Sequence, residues 1–587
     1  MTEHSLTNLH RIGGEMYAWS DWDPARGPAL PHGAALRHLV TELCAPGHAV
    51  LVAGPHDDTV VTALLAAGGQ VTWLCRSLSD AQRIAEAYPT VTVLCGSLAK
   101  LDPTPRFDLV VAADGLDRLD SVEGPQSTPD ELTVLTRVLR PAGALVLALD
   151  NPLGIHHWVR LAGDRPYRSD AEWYPPAAHA SARPASLAQL HDRLAADGLV
   201  PTASYALFPT PQAPTVFVGA PLLGDTTSPL RSHLSAALAD ALTTAYRGTP
   251  VLSDPRQLAA TALRAGAEAT LAAGWLTVAR RGAPATPDPS HELVVGQADD
   301  DFTYALTVRD GHPELRMLVP PRGRPERAGM RPIAPTPAPV AGRVVEEQLL
   351  HLCAQADLAR LRAEVVRLVT WIEHQASDGV VTGPAALVTP SALLDDGVTL
   401  RLMTPRWEPV APVPVATVVT RALWWFAVRL LTAGYPHPWS LTASAAELTA
   451  ILLGMAGRTL DDEALRAAVD LQVAYETADA GLTEADARAR RLELLALQPG
   501  TPPVDIRGYR ELTEALWRQR YQMSHLLAMV EWTDRIIRSR DYWHSKMDWE
   551  LQFYRKTWAG RFLMLARNAY RLVRRDIRKV WRRLRGS

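Results

Sequence analysis

The hydrophobic pattern of residues 50–76 organises the first part of the chain. Two short apolar runs, Val50 to Ala53 and Val71 to Leu74, flank a segment whose apolar positions recur at helical spacing, about Thr59 to Ala67. Short apolar runs bounded by turn residues predict buried strands, and the periodic segment between them predicts a helix. We therefore expect a βαβ unit here, with a turn entered at Gly54.

The same alternation continues as far as residue 149. Helices are predicted at Leu78 to Tyr88 and at Glu131 to Leu139, and Phe107 to Ala112 is a continuous apolar run of the kind that lies inside a parallel sheet. Strands and helices alternating at this pitch indicate an α/β domain with a Rossmann-like, doubly wound, mostly parallel sheet. Such sheets bind nucleotide-like cofactors at the carboxyl end of the first strand, here the loop that begins at Gly54.

Composition shifts divide the remaining chain. Ala-rich helices are predicted after residue 222, ending in an apolar segment at Gly274 to Ala279. Short strands and further helices then predict a smaller α+β domain, in which the apolar run Val418 to Leu431 contains two arginines and is expected to be a core helix. The last part is predicted to be helical. The predicted domains are 1–222, 223–283, 284–480 and 481–587.

The charge is unevenly distributed. The whole chain has a net charge of −3, which predicts no general affinity for nucleic acid, but residues 555–585 carry twelve Lys and Arg against Asp576 alone. The four cysteines form no metal-ligand spacing, so no metal and a reducing, cytoplasmic setting are expected. The first residues lack the basic and apolar regions of a signal peptide.

Three segments point to a family. The runs at 107–114 and 139–147, together with the Gly54 loop, resemble the class I S-adenosylmethionine-dependent methyltransferases over about residues 35–220. Asp150 to Gly154 is similar to a segment of methyltransferases attached to bacterial surface-polysaccharide enzymes of the O-antigen type. The resemblance implies S-adenosylmethionine as the cofactor, and surface-glycan assembly as the setting.

The residues expected to bind that cofactor depart from the family. The resemblance implies that Gly54, Asp58, Cys75 and Asp114 line the cofactor site. The family's loop is glycine-rich because the backbone approaches the cofactor closely, whereas here Pro, His and two Asp follow Gly54. Cys75 stands where the family has an acid that accepts both ribose hydroxyls, and a thiol is a poor acceptor. These replacements predict impaired binding of S-adenosylmethionine.

Catalytic candidates are few. Asp150 and His156 are the residues that would lie near a methyl acceptor, but no carboxylate partner for His156 or His157 is evident, and neighbouring residues of a helix point in different directions. A surface pair at a helix start is the alternative reading of the two histidines. For the Asp pair at 57 and 58, the alternative is an N-cap of the following helix.

The domain predicted at 284–480 resembles a degenerate kinase-like domain that accompanies such methyltransferases. In active relatives an Asn and an Asp bind magnesium, and a Glu-Trp pair follows. Ser391 stands at the Asn position, Thr404 at the Asp position and Arg406 at the Glu position, and Trp407 remains. Hard cations need carboxylate or amide oxygens, so kinase activity is not expected.

The last helix has a narrow apolar stripe on a strongly basic background. This pattern is typical of a helix that lies in the plane of an anionic membrane, although the same stripe could dock on a protein; nucleic acid is a third alternative. Apolar positions repeated between Leu512 and Ile537 make a homo-oligomer through the C-terminal helices a further candidate. The residues predicted to contact a membrane or a partner are Trp558, Arg571, Arg574, Arg575, Arg578 and Trp581.

Two hypotheses about function follow. In the first, the chain is a catalytically degenerate methyltransferase-like scaffold of glycan assembly, held peripherally on the cytoplasmic face of the membrane. In the second, it is an active methyltransferase with an unusual cofactor loop, which acts on a glycan or another acceptor. A phosphotransferase is the least favoured, because the magnesium ligands are missing.

Overall fold

The computed structural model describes most of the chain. It describes residues 6–25, 29–121, 128–160, 183–247, 249, 251–282, 288, 290–296, 303–319, 325–333, 342–403, 405–432, 435–440, 442–497 and 506–584. Within these ranges, the side chains of residues 128–129, 506–511, 513–514, 554–555, 564, 572 and 575–584 are not described. The chain forms two compact units, one comprising residues 1–16 and 20–521 and the other residues 17–19 and 522–587.

The first unit is built on a sheet of twelve strands. Their order is β1-β4-β3-β2-β5-β6-β9-β7-β8-β10-β11-β12. The strands are β1 (Leu9–Gly13), β2 (Ala49–Ala53), β3 (Gln70–Cys75), β4 (Thr92–Gly96), β5 (Phe107–Ala112), β6 (Leu139–Asp150), β7 (Leu199–Phe208), β8 (Val216–Gly219), β9 (Gly274–Arg281), β10 (Leu293–Gly296), β11 (Thr303–Arg309) and β12 (His312–Val319).

The first half of this sheet is parallel and doubly wound. β2 pairs in parallel with β3 on one side and with β5 on the other, so the strand order reverses between β2 and β5. The predicted fold class is confirmed: a Rossmann-like, doubly wound, mostly parallel α/β sheet is followed by a helical C-terminal region. The helices of this part are α1 (Ala34–Glu42), α2 (Asp58–Ala66), α3 (Leu78–Ala87), α4 (Thr128–Val138), α5 (Ile155–Val159), α6 (Leu187–Ala196), α7 (Arg231–Ala245), α8 (Pro255–Ala265) and α9 (Glu268–Leu271).

The central strands are apolar at every position because both of their faces are covered. Alternate residues of β2, such as Leu51 and Val52, enter two different hydrophobic cores, one on each face of the sheet. Val110 and Val111 of β5 divide in the same way. All four side chains are fully buried, which explains why the sequence shows continuous apolar runs rather than alternation.

The sheet crosses the predicted boundaries at 222/223 and 283/284. The apolar segment at Gly274 to Ala279, placed in a helical extension by the sequence pattern, is the strand β9. It lies antiparallel between β6 and β7, and β10 pairs with β8. The four-part division stays a prediction, but the strands β9 to β12 share one sheet with the strands β1 to β8.

A mainly helical part follows within the same unit. One of its helices, α12 (Val415–Thr432), has the length and hydropathy to cross a membrane, and 78% of it is buried inside the structure. Three small sheets accompany these helices. The strands are β13 (Met330–Pro332), β14 (Arg343–Val344), β15 (Ala376–Ser377), β16 (Val380–Val381), β17 (Leu393–Asp395), β18 (Leu400–Leu402), β19 (Trp407–Pro409) and β20 (Val413–Pro414), and the helices are α10 (Val345–Ala354), α11 (Leu358–His374), α12 (Val415–Thr432), α13 (Ala445–Met455), α14 (Asp462–Ala480) and α15 (Glu484–Leu495).

Two long helices end the chain, α16 (Ile506–Lys556) and α17 (Trp558–Leu584). Many of their apolar side chains are exposed, including Leu526 and Val530 in α16 and Leu565 and Val573 in α17. Helices that keep apolar residues in water commonly do so because a partner or a lipid surface covers them. The structure therefore leaves both apolar faces available for contacts.

We predict that β9 is as stable as the first strands of the sheet. Because β9 lies between β6 and β7 and pairs with both, native-state hydrogen exchange of the full chain should give its amides opening free energies within about 1 kcal/mol of those of β2 and β5. Helix α15, which buries little, serves as an internal control and should exchange earlier. If the amides of β9 exchange with opening free energies well below those of β2, this prediction is contradicted.

Candidate functional site

The candidate site lies at the carboxyl ends of β2 and β5, where the strand order reverses. Doubly wound sheets bind ligands in the crevice at this position. The loop after β2 begins at Gly54, and the loop after β5 begins at Ala113. What the crevice can bind depends on which polar groups of these loops are already bonded to the protein itself.

The carbonyl group of Gly54 is fully used. Gly54 has a φ of +88°, a conformation that favours glycine. Its carbonyl oxygen accepts hydrogen bonds from Trp73 Nε1 at 2.9 Å and from His56 Nδ1 at 3.1 Å, which occupies both lone pairs. A Cβ at this position would lie 3.1 Å from Leu119 Cδ2, so Leu119 covers the Cα of the glycine.

His56 joins the two loops. Its ring is fully buried, and its Nε2 accepts a hydrogen bond from the backbone N–H of Ala113 at 3.1 Å. Since a backbone N–H can only donate, the ring proton must be on Nδ1, where it is donated to Gly54. Burial lowers the pKa of His56 to about 4, against the opposing effect of the Gly54 carbonyl. The imidazole is therefore neutral at physiological pH.

Asp114, predicted to line the cofactor site, is bound by an arginine. Arg118 Nε donates to Asp114 Oδ2 at 2.7 Å, and Nη2 of the same guanidinium contacts the other carboxylate oxygen. Both side chains are buried. Burial raises the pKa of Asp114, although the Arg118 cation opposes the shift. The carboxylate is held in a bidentate pair, whose charge-assisted bonds are strong ones.

A second buried ion pair ties the N-terminal segment to the loop after β3. Arg76 Nη2 lies 2.8 Å from Asp21 Oδ1, and Arg76 Nε lies 3.0 Å from Asp21 Oδ2. Arg76 Nη1 donates to the carbonyl of Asp120 at 2.8 Å, and Arg118 Nη1 donates to that of Asp21 at 3.2 Å. Residues 20–21 are thus fixed at the carboxyl ends of the strands, a role that the sequence did not reveal.

Cys75 and Asp58 are the other predicted cofactor residues. Cys75 is buried at the end of β3, and burial raises the pKa of its thiol well above the ordinary value, so the group is neutral. Asp58 is partly exposed and pairs with Arg83 of α3, with 3.2 Å between Oδ2 and Nη1. The predicted N-cap role is confirmed for Asp57, which accepts from the N–H of Thr59 at 2.9 Å.

Asp150, His156 and His157 come together at the carboxyl end of β6. His156 Nε2 lies 3.0 Å from Asp150 Oδ1, and His157 Nε2 lies 3.3 Å from Asp150 Oδ2. The prediction that these histidines lack a carboxylate partner is therefore wrong. The tight turn between Asn151 and Gly154 folds α5 back on the strand end, so that both rings reach one carboxylate. Burial raises the pKa of Asp150, but the two imidazoles outweigh it and lower the pKa to about 2.

Asn151 holds this turn in place. Its side-chain amide donates to the carbonyls of Thr270 at 2.8 Å and Ala272 at 2.7 Å, and its Oδ1 accepts from the N–H of Leu153 at 3.0 Å. Asn151 is fully buried. It therefore positions the Asp150 cluster against the segment that leads into β9, which sequence reasoning missed although the segment at 150–154 was singled out.

Three of the four positions that the sequence analysis compared with a kinase line one cavity. Ser391, Arg406 and Trp407 line a cavity of about 600 Å³, whereas Thr404 lies outside the described residues. Arg406 Nη2 pairs with Asp240 Oδ2 at 2.7 Å, and Trp407 Nε1 donates to Asp479 Oδ1 at 3.2 Å. A guanidinium thus stands where the resemblance implies the carboxylate of the Glu-Trp pair, and Ser391 offers a hydroxyl where the resemblance implies the Asn that binds magnesium.

Two groups of the described residues have the composition of a metal site. One is Asp150 with His156 and His157, and the other is His38 with Glu42 and His291. The sequence indicated no metal because the four cysteines lack ligand spacing. Histidines and carboxylates that meet only in the folded chain give no such spacing signal.

No protein-family model matches the chain, and no curated protein does. Among solved structures it is similar to the 1,6-didemethyltoxoflavin-N1-methyltransferase of Burkholderia thailandensis, at 16% identity over 45% of this chain and 78% of that one, with a TM-score of 0.23. For an S-adenosylmethionine-dependent methyltransferase of Mesorhizobium loti the identity is 19%, over 42% of this chain and 96% of that one, with a TM-score of 0.25. For a geranyl diphosphate methyltransferase the identity is 14%, over 42% of this chain and 85% of that one, with a TM-score of 0.24. The fold assignment rests on the strand order.

The neutral, buried imidazole of His56 predicts a pH-dependent stability. The unfolded chain takes up a proton here below about pH 6.5, whereas the folded chain does so only near pH 4. The stability contributed by His56 is therefore lost as the pH falls, by about 2 kcal/mol in the free energy of unfolding between pH 8 and pH 5.

Denaturant unfolding of His56→Gln should lack this part of the pH dependence. The exposed His10→Gln serves as the matched control and should keep the full dependence of the unchanged protein. Equal pH dependence in all three proteins would contradict a neutral, buried His56.

Proposed function

We propose that the methyltransferase-like part is catalytically degenerate and serves as a scaffold in the assembly of a cell-surface glycan. The observation that carries this proposal is the use of the crevice's polar groups by the protein itself. The carbonyl of Gly54, the N–H of Ala113 and the carboxylate of Asp114 are each bonded to a buried side chain. A cofactor would have to displace these contacts to use the same groups.

Such displacement is unfavourable on energetic grounds. Breaking a buried ion pair by removing one partner destabilises a protein by about 3–5 kcal/mol, because the other charge is left unpaired. Two such pairs, Arg118 with Asp114 and Arg76 with Asp21, lie at this edge of the sheet. The neutral Cys75 thiol offers a ribose only a weak acceptor. These features support loss of S-adenosylmethionine binding.

The cavity lined by Ser391, Arg406 and Trp407 supports the same conclusion for phosphoryl transfer. Magnesium is held by oxygen ligands, whereas Arg406 contributes a cation that Asp240 and Asp479 already neutralise. A second cation next to this guanidinium would be repelled. We therefore infer that this part is a pseudokinase, and that its cavity is retained for structure.

The glycan setting is supported by the likeness of Asp150 to Gly154 to surface-polysaccharide methyltransferases. The structure gives this segment a physical role, since Asn151 anchors it to the residues before β9. The four cysteines are free and buried, which supports a reducing, cytoplasmic location. The acceptor or partner in that setting is a protein or a glycan of the cell-surface assembly.

A second candidate function is an active methyltransferase with an atypical loop. Asp150 and His156 favour it, because a histidine next to a carboxylate at the carboxyl end of a strand can take a proton from an acceptor hydroxyl. Under this alternative, Asp150 would orient His156, and the cofactor would lie near Gly54 and Asp114. It requires the crevice to open.

We predict that the purified protein does not bind S-adenosylmethionine or S-adenosylhomocysteine. Calorimetric titration should show no saturable binding with a dissociation constant below about 1 mM, and ATP with magnesium should give the same result. Circular dichroism of the same sample controls for folding. Micromolar binding of the methyl donor would contradict the scaffold and favour the active enzyme, which Asp150→Asn should then inactivate without loss of cofactor binding.

We further propose that α17 binds the anionic inner face of the cytoplasmic membrane. Trp558, Phe562, Leu565, Tyr570 and Val573 have more than half of their surface exposed. Arginines occupy much of the rest of the helix, so the apolar face can enter the lipid boundary while the cations meet headgroups. The side chains of Arg575, Arg578 and Trp581 are outside the described residues.

Removal of the tail tests this anchor. Deletion of residues 555–587 should abolish co-sedimentation with vesicles that contain phosphatidylglycerol, and Arg571→Glu with Arg574→Glu should weaken it at least about tenfold, since each basic residue contributes about 1 kcal/mol near such a surface. The matched control reverses Arg535 and Arg538 in α16 and should leave binding unchanged. Sedimentation that survives the deletion would contradict the anchor, and absence of vesicle binding by the unchanged protein would contradict it in favour of docking on a protein.

A further inference from the structure

His38, Glu42 and His291 meet at a place that is separate from the crevice. His38 and Glu42 are one turn apart on α1, and His291 lies in the segment that leads into β10. His38 Nε2 is 3.0 Å from Glu42 Oε1, and His291 Nε2 is 3.3 Å from Glu42 Oε2. One carboxylate thus lies between two imidazoles that are about 250 residues apart in the chain.

The nitrogen of His38 that faces this group contacts the carboxylate without good hydrogen-bond geometry. Nε2 is buried and lies 3.0 Å from Glu42 Oε1, but the contact is not aligned as a hydrogen bond. A metal ion that shares the carboxylate with both rings would bind the lone pair of this nitrogen, which is how a neutral imidazole binds a metal.

The spacing of the three groups suits zinc. Zinc binds histidine nitrogen and carboxylate oxygen at about 2.0–2.2 Å in tetrahedral geometry, which separates neighbouring ligand atoms by about 3.3 Å. His38 Nε2 lies 3.0 Å from one oxygen of Glu42, and His291 Nε2 lies 3.3 Å from the other. One ligand atom from each of the three residues lies within 4.8 Å of the other two. His38 and Glu42 keep 17% and 19% exposure, so water can reach a fourth position.

The other cluster of this composition fits a metal less well. Asp150 and His157 are 45% and 35% exposed, so an ion there would be less shielded from water. His156 Nδ1 is buried without a hydrogen-bond partner, whereas an imidazole that binds a metal through one nitrogen normally donates the N–H of the other. We therefore interpret Asp150 and His156 as a hydrogen-bonded pair rather than as metal ligands.

We propose that His38, Glu42 and His291 bind one zinc ion, which ties α1 to the start of β10. The ligands come from the first covering helix and from the antiparallel extension of the sheet. Glu42 and His291 already contact each other across these two elements. A bound ion would strengthen that connection, and it would be present in the folded chain and absent from the unfolded one.

Metal titration of the full chain tests this site. After treatment with EDTA and buffer exchange, the protein should bind one equivalent of zinc, and its melting temperature should rise by about 4 °C or more. Glu42→Gln and His291→Gln should each weaken binding at least about a hundredfold and remove the thermal shift. Asp150→Asn, in the other cluster, is the matched control and should keep the bound equivalent of zinc and the thermal shift that zinc causes.

The metal-free melting temperature of each variant controls for folding, and His38→Gln provides a third ligand variant if one of the others does not fold. Three results would overturn the proposal: no zinc bound by the unchanged protein, unchanged affinity in the folded ligand variants, or loss of the bound equivalent in Asp150→Asn.

Discussion

The rest of the structure depends on how the protein satisfies its own polar groups where the strand order reverses. At this edge the carbonyl of Gly54 and the N–H of Ala113 would be left without partners if they faced an apolar interior. His56 bonds to both, and its neutral form fits because burial strongly disfavours the imidazolium. A single ring thus joins the loops after β2 and β5 that a cofactor would otherwise separate.

The two buried arginines extend this closure. Arg118 holds Asp114 and reaches the carbonyl of Asp21, while Arg76 holds the carboxylate of Asp21. The N-terminal segment is therefore part of the same network as the loops after β3 and β5. Since buried ion pairs contribute little net stability compared with apolar side chains but are expensive to break, their effect is to fix one closed arrangement. The scaffold hypothesis follows from this rigidity.

The local parts of the fold could be predicted from the sequence. Val50 to Ala53 and Phe107 to Ala112 are apolar at every position because both faces of the sheet are covered, and Asp57 caps α2 as its side chain allows. Pairing between distant segments could not be predicted. β9 lies between β6 and β7 although it follows a run of helices, and no local pattern distinguishes such a buried strand from a short core helix.

The candidate site also contains residues that could be predicted from the sequence and residues that could not. The replacement of the cofactor residues at Cys75 and after Gly54 was visible in the sequence, whereas Arg118 and His56 gave no signal. Their partners are brought to them by the fold: Ala113 is 57 positions from His56, and Asp21 is 97 from Arg118. The meeting of Asp150 with His156 was missed because a five-residue helix after a tight turn does not present neighbouring side chains as a long helix would.

The central claim is that the crevice is closed by the protein's own side chains, and a crystal structure grown with millimolar S-adenosylhomocysteine tests it most directly. The account predicts that His56 still bridges Gly54 and Ala113, that Arg118 still holds Asp114, and that no ligand density lies at the carboxyl ends of β2 and β5. Density for the ligand at that position, with His56 or Arg118 displaced from these contacts, would contradict it.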